Sequence, residues 1–406
     1  MKWLRENGRL SFVVLLVSQL AATMGFTFVL PFTPIYVQEL GVADAGSAAA
    51  WAGVVNSSTA VTMGLAAPLW GRLGDRVGLK PMLLRATVAG AIVVGLMGLV
   101  ESPWQLLALK TLQGCLTGTV AAATVLVSAT APPERAGERL GTLQMVIFAA
   151  AAGGPFFGGV FADLVGIRAS FGVTAALLAA SAVLIYAWVK EERPAEDGAE
   201  EEGSAGVSGP LPHRRLLPSL LALFVVQLAI MSAAPALPGF IHTLMEEPVR
   251  VASLAGWIIA TGALAASLGS VVGGRLAARF GARRVIIWAL LFAGISALPQ
   301  AEVDSVALLW GLRVVTGLFL GIAVPVANLA IRGAVHSERQ GEAFGVAATA
   351  TSAGNAVGPV AGGLLAASFG FGAPFLVPGV CLVAVSLLLW AAPLLATGYR
   401  MALRHH

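Results

Sequence analysis

The sequence has very little charge for its length. Only 11% of its 406 residues are charged, whereas 57% are hydrophobic, and the mean hydropathy is +0.85. A soluble domain carries about 25% charged residues. A surface this apolar would expose patches larger than soluble proteins tolerate in water. The composition therefore excludes a soluble globular protein and indicates that many side chains face lipid.

The sequence also lacks the patterns of an ATPase or a hydrolytic enzyme. It contains no phosphate-binding loop, no zinc-binding histidine pair at helical spacing and no nucleophile elbow. Its two cysteines, Cys115 and Cys381, lie far apart in apolar stretches, so we interpret them as packing residues. We therefore expect no enzyme activity, no metal and no cofactor, and an energy source other than ATP.

Apolar stretches dominate what is present, and most are near the roughly 20 residues that a helix needs to cross a bilayer. Spans 1 to 6 cover roughly 10–38, 49–71, 82–100, 104–129, 140–162 and 167–189, and spans 7 to 12 cover roughly 215–241, 251–273, 284–300, 304–331, 343–365 and 371–394. The acidic segment 191–212, rich in Gly, Ser and Pro, is interpreted as a flexible cytoplasmic tether. The sequence thus predicts an all-α membrane protein with six-helix bundles at 1–190 and 213–406.

The distribution of positive charge predicts the orientation. Of the 25 Lys and Arg residues, Arg168 and Arg250 lie in outside loops, Lys110 and Arg313 lie within spans, and the remaining 21 (25 − 2 − 2) lie in cytoplasmic segments if the N-terminus is inside. Lys and Arg concentrate in cytoplasmic loops. We therefore expect both termini in the cytoplasm, and we attribute the net charge of +4 to topology rather than to nucleic-acid binding.

An internal repeat relates the two halves. The matching segments are Gly71–Gly78 with Gly274–Gly281 (274 − 71 = 203), Lys110 with Arg313 (313 − 110 = 203), and Gly154-Pro155 with Gly358-Pro359 (358 − 154 = 204). Because each half has an even number of spans, both halves insert with the same orientation. This predicts a pseudo-symmetric parallel repeat with a substrate site near the midplane and transport by rocking of the halves.

Several of these segments resemble the motifs of a known family. Gly71–Lys80, between spans 2 and 3, looks like the signature loop of the major facilitator superfamily. Gly154-Pro155 with Gly158-Gly159 resembles the span 5 motif of its drug:proton antiporters, and Pro31–Pro34 and Leu107–Gly114 match further motifs of that branch.

The resemblance, closest to bacterial multidrug efflux proteins with 12 helices, implies a major facilitator fold in the bacterial cytoplasmic (inner) membrane. It also implies export of lipophilic or amphipathic compounds by alternating access, with a proton gradient as the energy source. We expect a monomer whose only other partners are membrane lipids.

The resemblance also implies roles for the loop between spans 2 and 3. Asp75 would meet the N-terminus of span 11, where the helix dipole favours an anion. Gly71 and Gly78 would permit a tight turn. Arg76 and Lys80 would anchor the loop, with Glu134 and Glu138 as candidate partners, although Lys80 could equally serve topology alone. The second copy has Ala278 in place of Asp75, so this latch would be one-sided.

In span 5, the small residues Gly154, Gly158 and Gly159 fall on one stripe and would let span 8 or its neighbour approach closely. Pro155 removes a backbone donor and should bend the helix. The resemblance implies a gating hinge and a leak seal, while a pure packing role would leave the same sequence.

Lys110 and Arg313 lie inside spans, where each would cost about 2.5–3.5 kcal/mol at a helix centre. The resemblance links the position of Lys110 to proton coupling, and both cations could instead bind a substrate charge. Snorkelling towards the outer interface is the alternative. No Asp or Glu lies in the middle of a span, so a coupled proton would need Lys110, a peripheral acid or the substrate itself.

The remaining cavity candidates are polar residues within spans and adaptable apolar residues of span 1, each of which could also serve helix packing. They are Gln19, Asn56, Gln113, Gln227, Asn328 and Asn355, with Met24, Phe26 and Phe28. A wide cavity with few charges suits lipophilic substrates. The alternative functions are a lipid or lysolipid flippase, with an anionic headgroup held by Lys110 and Arg313, and a non-transporting receptor.

Overall fold

The computed structural model describes residues 2–29, 32–118, 122–124, 126–127, 136–189, 213–246, 250–335 and 340–402, and all regular structure within them is helical. Spans 1 to 6 contain the helices Lys2–Phe28 and Thr33–Glu39 (span 1), Ala45–Val77, Leu79–Met97, Pro103–Leu116, Ala136–Val165 and Ile167–Trp188. Spans 7 to 12 contain His213–Ala233 and Leu237–Thr243 (span 7), Val251–Phe280, Ala282–Ala297 with a 3-10 turn at Leu298–Glu302, Val306–Ala334, Gln340–Phe369 and Ala373–Ala402.

Helices in all twelve predicted spans confirm the predicted fold class. Nine of the described helices are long and apolar enough to cross a membrane by themselves. The helices of the other three spans do not meet this requirement of length and apolarity, and their sequences show why. Span 2 contains many Ser and Thr residues, the helix of span 4 is interrupted after Leu116 although residues 122–124 and 126–127 are again helical, and span 11 is rich in Gly, Ala and Thr.

The described residues form two compact units. The first contains spans 1 to 6 together with residues 234–260, and the second contains residues 213–233 and the chain from 261 onward. In the first unit, the buried rings of Phe32, Tyr36 and Phe171 pack together, and the Tyr36 hydroxyl donates to the Met97 carbonyl at 2.7 Å. The core of the second unit is aliphatic and includes Leu290 and Val326.

Positive φ angles at glycines repeat the sequence symmetry. Gly78 (φ 103°) separates spans 2 and 3, and Gly281 (φ 85°) separates spans 8 and 9. Gly166 (φ 87°) and Gly370 (φ 86°) do the same between spans 5 and 6 and spans 11 and 12. A side chain disfavours this conformation, so glycine is needed at each of these turns.

Candidate functional site

The loop between spans 2 and 3 is shorter than its sequence suggests. The helix of span 2 continues through Gly71 to Val77, and the next helix begins at Leu79, so the turn is made at Gly78 alone. The side chains of Asp75 and Arg76 lie outside the described part of the structure. The contact of Asp75 with span 11 therefore stays a prediction.

Lys80 binds a backbone carbonyl at the end of span 6. Its Nζ donates to the Tyr186 carbonyl at 3.0 Å and lies 5.9 Å from the centre of the Tyr186 ring. Carbonyls in the last turn of a helix lack intrahelical donors, and the helix dipole favours a cation there. Glu134 and the side chain of Glu138, its predicted partners, lie outside the described residues.

The second half contains the same anchor with a different cation. Arg283 Nη2 donates to the Leu389 carbonyl at 2.5 Å. Both donor and acceptor are displaced by the repeat offset, since 283 − 80 and 389 − 186 are each 203. In each half, therefore, a cation at the start of its third span is joined to its sixth span.

The glycine stripe of span 5 contacts two neighbours rather than one. A methyl group at Gly154 would overlap the Thr27 side chain, and one at Gly158 would overlap the Phe28 carbonyl, both on span 1. A methyl group at Gly159 would instead overlap the Ala252 carbonyl on span 8. Small residues therefore allow helix backbones to meet on both sides of span 5.

Span 8 contributes a glycine of its own to this junction. A methyl group at Gly256 would overlap the carbonyl of Pro155, and the rings of Phe156 and Trp257 lie 5.5 Å apart. Pro155 lies inside the helix Ala136–Val165, which continues through it. Gly256 could not be predicted from the sequence, because its partner is a backbone atom that no side-chain pattern reveals.

Lys110 is buried, with 7% of its surface exposed. Its backbone carbonyl accepts from Thr59 Oγ1 at 3.0 Å, and the Thr111 carbonyl accepts from Thr62 Oγ1 at 3.0 Å, so span 4 is fastened to span 2. Among the described side chains, none forms an ion pair with the Lys110 amine. Span 4 therefore places a cation inside the bundle without a described counter-ion.

Arg313 occupies the equivalent place in the second unit. It is half-buried, and its guanidinium carbon lies 5.8 Å from the centre of the Phe375 ring. Cations are attracted to aromatic faces at about this distance. The glycines that follow match as well: Gly114 packs on the Thr59 carbonyl and Gly317 on the Gly262 carbonyl, with 262 − 59 equal to 203.

The amide side chains proposed for the cavity differ between the units. In the first unit, both amide atoms of Gln19, Oε1 of Gln113 and Nδ2 of Asn56 are buried without a hydrogen-bond partner. In the second, Gln227 Nε2 donates to Asn355 Oδ1 at 2.5 Å, and Asn328 is half-buried. Unpaired buried polar atoms cost about 1–3 kcal/mol each, so they mark places where a ligand or water could bind.

Two further residues, which the sequence does not single out, share this property with Gln19. The hydroxyl oxygens of Ser18 and Thr23, also on span 1, are buried and unpartnered. Hydroxyl groups within helices usually bond the backbone, so nothing in the sequence distinguishes these two from other serines and threonines.

The apolar candidates of span 1 occupy different environments. Phe28 is 2% exposed and lies in the core, with its ring 5.7 Å from that of Phe161. Phe26 and Met24 are half-buried, and the Phe26 ring lies against Gly90 of span 3.

The repeated helical units, the glycine-mediated backbone contacts and the cations within the spans define a polytopic membrane protein of the transporter class. The family model of the Major Facilitator Superfamily matches residues 15–249 and 219–398, and the chain belongs to this superfamily.

The relatives and solved structures agree with this assignment. The chain is 33% identical over 352 residues to the multidrug resistance protein MdtG of Proteus mirabilis, covering 86% of this chain and 88% of that protein. It is 35% identical over 357 residues to MdtG of Dickeya zeae, covering 87% and 86%.

Two solved structures share the fold at low sequence identity. A bacterial homologue of the human lysosomal transporter Spinster, solved in an inward-facing and occupied conformation, has a TM-score of 0.76 at 16% identity, covering 94% of this chain and 96% of that one. The nucleoside transporter NupG has a TM-score of 0.74 at 13% identity, covering 94% and 98%.

Proposed function

We propose that this protein exports lipophilic or amphipathic small molecules across the bacterial cytoplasmic membrane by alternating access. The observation that carries the proposal is the similarity to multidrug resistance proteins over 86–87% of the chain. In the proposed arrangement the protein is a monomer surrounded by lipid, has both termini in the cytoplasm and uses no cofactor.

The interior of the first unit supports a site that accepts varied ligands. Gln19 and Gln113 offer unpaired amide atoms beside an otherwise apolar helix bundle. A few polar groups among apolar walls are typical of small-molecule sites. Such a site would bind apolar surface non-directionally and would use the amides to hold polar parts of the ligand.

A proton gradient is the energy source that we propose, with Lys110 as the exchanging group. A lysine amine can release its proton, whereas an arginine guanidinium in a protein cannot. Lys110 is buried and has no described counter-ion, so its charge has to be balanced by a ligand, by water or by loss of the proton. If the proton and the substrate compete for Lys110, export of the substrate would be coupled to entry of the proton.

The experiment measures ethidium efflux driven by an imposed pH gradient in proteoliposomes that contain the full chain. We expect Lys110→Ala to reduce this efflux to the level of protein-free liposomes. Lys110→Arg should still interact with substrate but should fail to use the gradient. Arg284→Ala, which removes an exposed cytoplasmic cation, is the matched control and should transport normally. Unchanged pH-driven efflux in Lys110→Ala would refute the proton role.

The buried Lys110 and the half-buried Arg313 also suit an anionic headgroup, which is the reason to test a lipid or lysolipid flippase in parallel. The same vesicles would carry a fluorescent anionic lysolipid and a neutral one. Efflux of ethidium without lysolipid movement supports the exporter. Selective movement of the anionic lysolipid that survives collapse of the gradient supports the flippase.

A further inference from the structure

We propose that Asp163 holds the end of span 5 to the start of span 8, and that this contact has to open during each transport cycle. This contact, which we call the Asp163 clasp, consists of the Asp163 carboxylate and Ser253. It lies at the ends of these spans that the charge distribution predicts to face outside. The inference rests on the proposed transport function for its second part only, because the clasp itself can be measured without transport.

The clasp contains two hydrogen bonds to one carboxylate oxygen. Asp163 Oδ2 accepts from the backbone N–H of Ser253 at 2.8 Å and from the Ser253 hydroxyl at 2.5 Å. Asp163 lies in the last turn of the helix Ala136–Val165, and Ser253 is the third residue of the helix Val251–Phe280. Hydrogen bonds to a charged acceptor are shorter and roughly twice as strong as neutral ones.

The residue directly before the helix of span 8 supplies no such acceptor. The first N–H groups of a helix have no intrahelical partner, and a side chain at the residue before the helix usually accepts from them. That residue is Arg250, which has donors only. It is also the only non-glycine residue with a positive φ (57°) in the described part of the chain.

The first half shows the ordinary solution at the equivalent place. Asp44 precedes the helix of span 2 and accepts from the Ser47 N–H at 2.7 Å, so span 2 caps itself. Ser47 and Ser253 occupy the same third position of their helices. The residue directly before the helix of span 8 is Arg250 rather than an acid, and the acceptor comes from span 5 instead.

The position of Asp163 is unfavourable for its own helix. An anion near a helix C-terminus is destabilising, whereas the same anion at a helix N-terminus is stabilising. The repeat-equivalent residue of span 11 (163 + 204) is Ala367, so the fold does not require an acid at this point. The benefit of Asp163 therefore arises in span 8, and it exists only while the two spans are in contact.

The clasp lies at the end of a seam in which the two helices touch through their backbones. Below it, Gly159 meets the Ala252 carbonyl and Gly256 meets the Pro155 carbonyl. With Asp163 exposed, water can replace the carboxylate at Ser253. The clasp is thus a reversible contact that stabilises the closed seam without fixing it permanently.

The first experiment measures the accessibility of a residue on the cytoplasmic side of the clasp. Met24→Cys is introduced into the full chain after Cys115 and Cys381 have been replaced by Ala. Met24 lies at the level of Gly154 in span 5, because a methyl group at Gly154 would meet the Met24 carbonyl. Gly154 precedes Asp163 by nine helical residues, which places it about 13 Å from the clasp. The protein is oriented in proteoliposomes, and a membrane-impermeant maleimide is added to the outside.

We expect Asp163→Ala to raise the labelling rate roughly fivefold, which is the effect of losing a typical helix cap. Asp163→Asn and Ser253→Ala should each raise the rate less, because Asn keeps an uncharged acceptor oxygen and Ser253→Ala keeps the backbone N–H donor. Glu101→Ala, which removes an exposed outside acid of the same unit, is the matched control and should leave the rate unchanged. Equal labelling of Asp163→Ala and the parent protein would overturn the clasp.

The second experiment locks the seam. Asp163→Cys and Ser253→Cys are combined in the chain without native cysteines, and the pair is oxidised in proteoliposomes. We expect oxidation to stop ethidium efflux and a reducing agent to restore it. Efflux that continues after complete oxidation would show that the contact is static. If no variant transports ethidium, the export proposal fails, while the labelling result still decides whether the clasp holds the spans together.

Discussion

Replacing Gly158 by alanine should destabilise the protein, because the added methyl group meets rigid backbone. It would overlap the Phe28 carbonyl oxygen and lie 2.7 Å from the carbonyl carbon and 3.0 Å from the Phe28 Cα. Carbon atoms pack best at about 3.5–4.0 Å, so spans 1 and 5 would have to separate by about 1 Å. Backbone atoms cannot rotate away as a side chain can.

The magnitude follows from two opposing terms. Overpacking a well-packed interior costs about 1–3 kcal/mol. Alanine is more favourable than glycine in a helix by up to about 1 kcal/mol, which offsets part of this cost. We therefore expect Gly158→Ala to lower the free energy of unfolding by up to about 2 kcal/mol.

A matched glycine lies in the same helix. A methyl group at Gly153 would meet only the Phe157 ring, at 3.8 Å, which is an ordinary contact. Gly153→Ala should therefore be neutral or slightly stabilising, because only the propensity term remains.

Thermal unfolding of the full chain in detergent, followed by tryptophan fluorescence, should separate the two variants by roughly 4 °C. Equal loss of stability in both variants would refute the argument, since it would show that helix propensity or mobility, and not the contact with Phe28, decides the outcome.

Two further predictions concern helix ends. Lys80→Ala and Arg283→Ala should each lower the free energy of unfolding by about 0.5–1.5 kcal/mol, because each removes one hydrogen bond to a carbonyl; thermal unfolding measures this, and an equal loss in Arg284→Ala would attribute it to net charge instead. The Ser47 N–H holds the pKa of the Asp44 carboxyl below its usual range, so this cap stabilises the fold above the unfolded pKa of about 4 and is lost as the pH falls through the lower folded pKa. When the free energy of unfolding is measured against pH, Asp44→Asn should therefore lose less stability below about pH 4 than the parent protein. The same loss in both proteins would contradict the capping role.

Hydropathy and charge were sufficient to predict the spans, because lipid imposes length and composition on every crossing helix. The boundaries were less predictable. Span 2 was expected to end near residue 71, but its helix continues to Val77, since charged residues at a membrane surface remain helical until Gly78 adopts a positive φ. Hydropathy predicts span 1 as one stretch, whereas the structure has separate helices ending at Phe28 and beginning at Thr33.

The candidate site was predictable where it depends on residue type and not where it depends on backbone partners. Small residues at Gly154 and Gly158 indicated close helix packing, but their partner, span 1, could not be deduced from sequence. The pairing of Gln227 with Asn355 joins residues 128 positions apart. Asp163 and Ser253 are 90 positions apart, and neither belongs to a recognisable motif.

The anchors formed by Lys80 and Arg283 have an evolutionary consequence. Each uses a main-chain oxygen as its acceptor, and every amino acid supplies that atom, so Tyr186 and Leu389 could diverge completely without losing the bond. The donor position needs only a long cationic side chain, which both lysine and arginine provide. After a gene duplication, the two halves can therefore keep the geometry of this junction even when their sequences are no longer recognisably similar. Superposing the halves by such bonds should reveal common ancestry where residue identity no longer does.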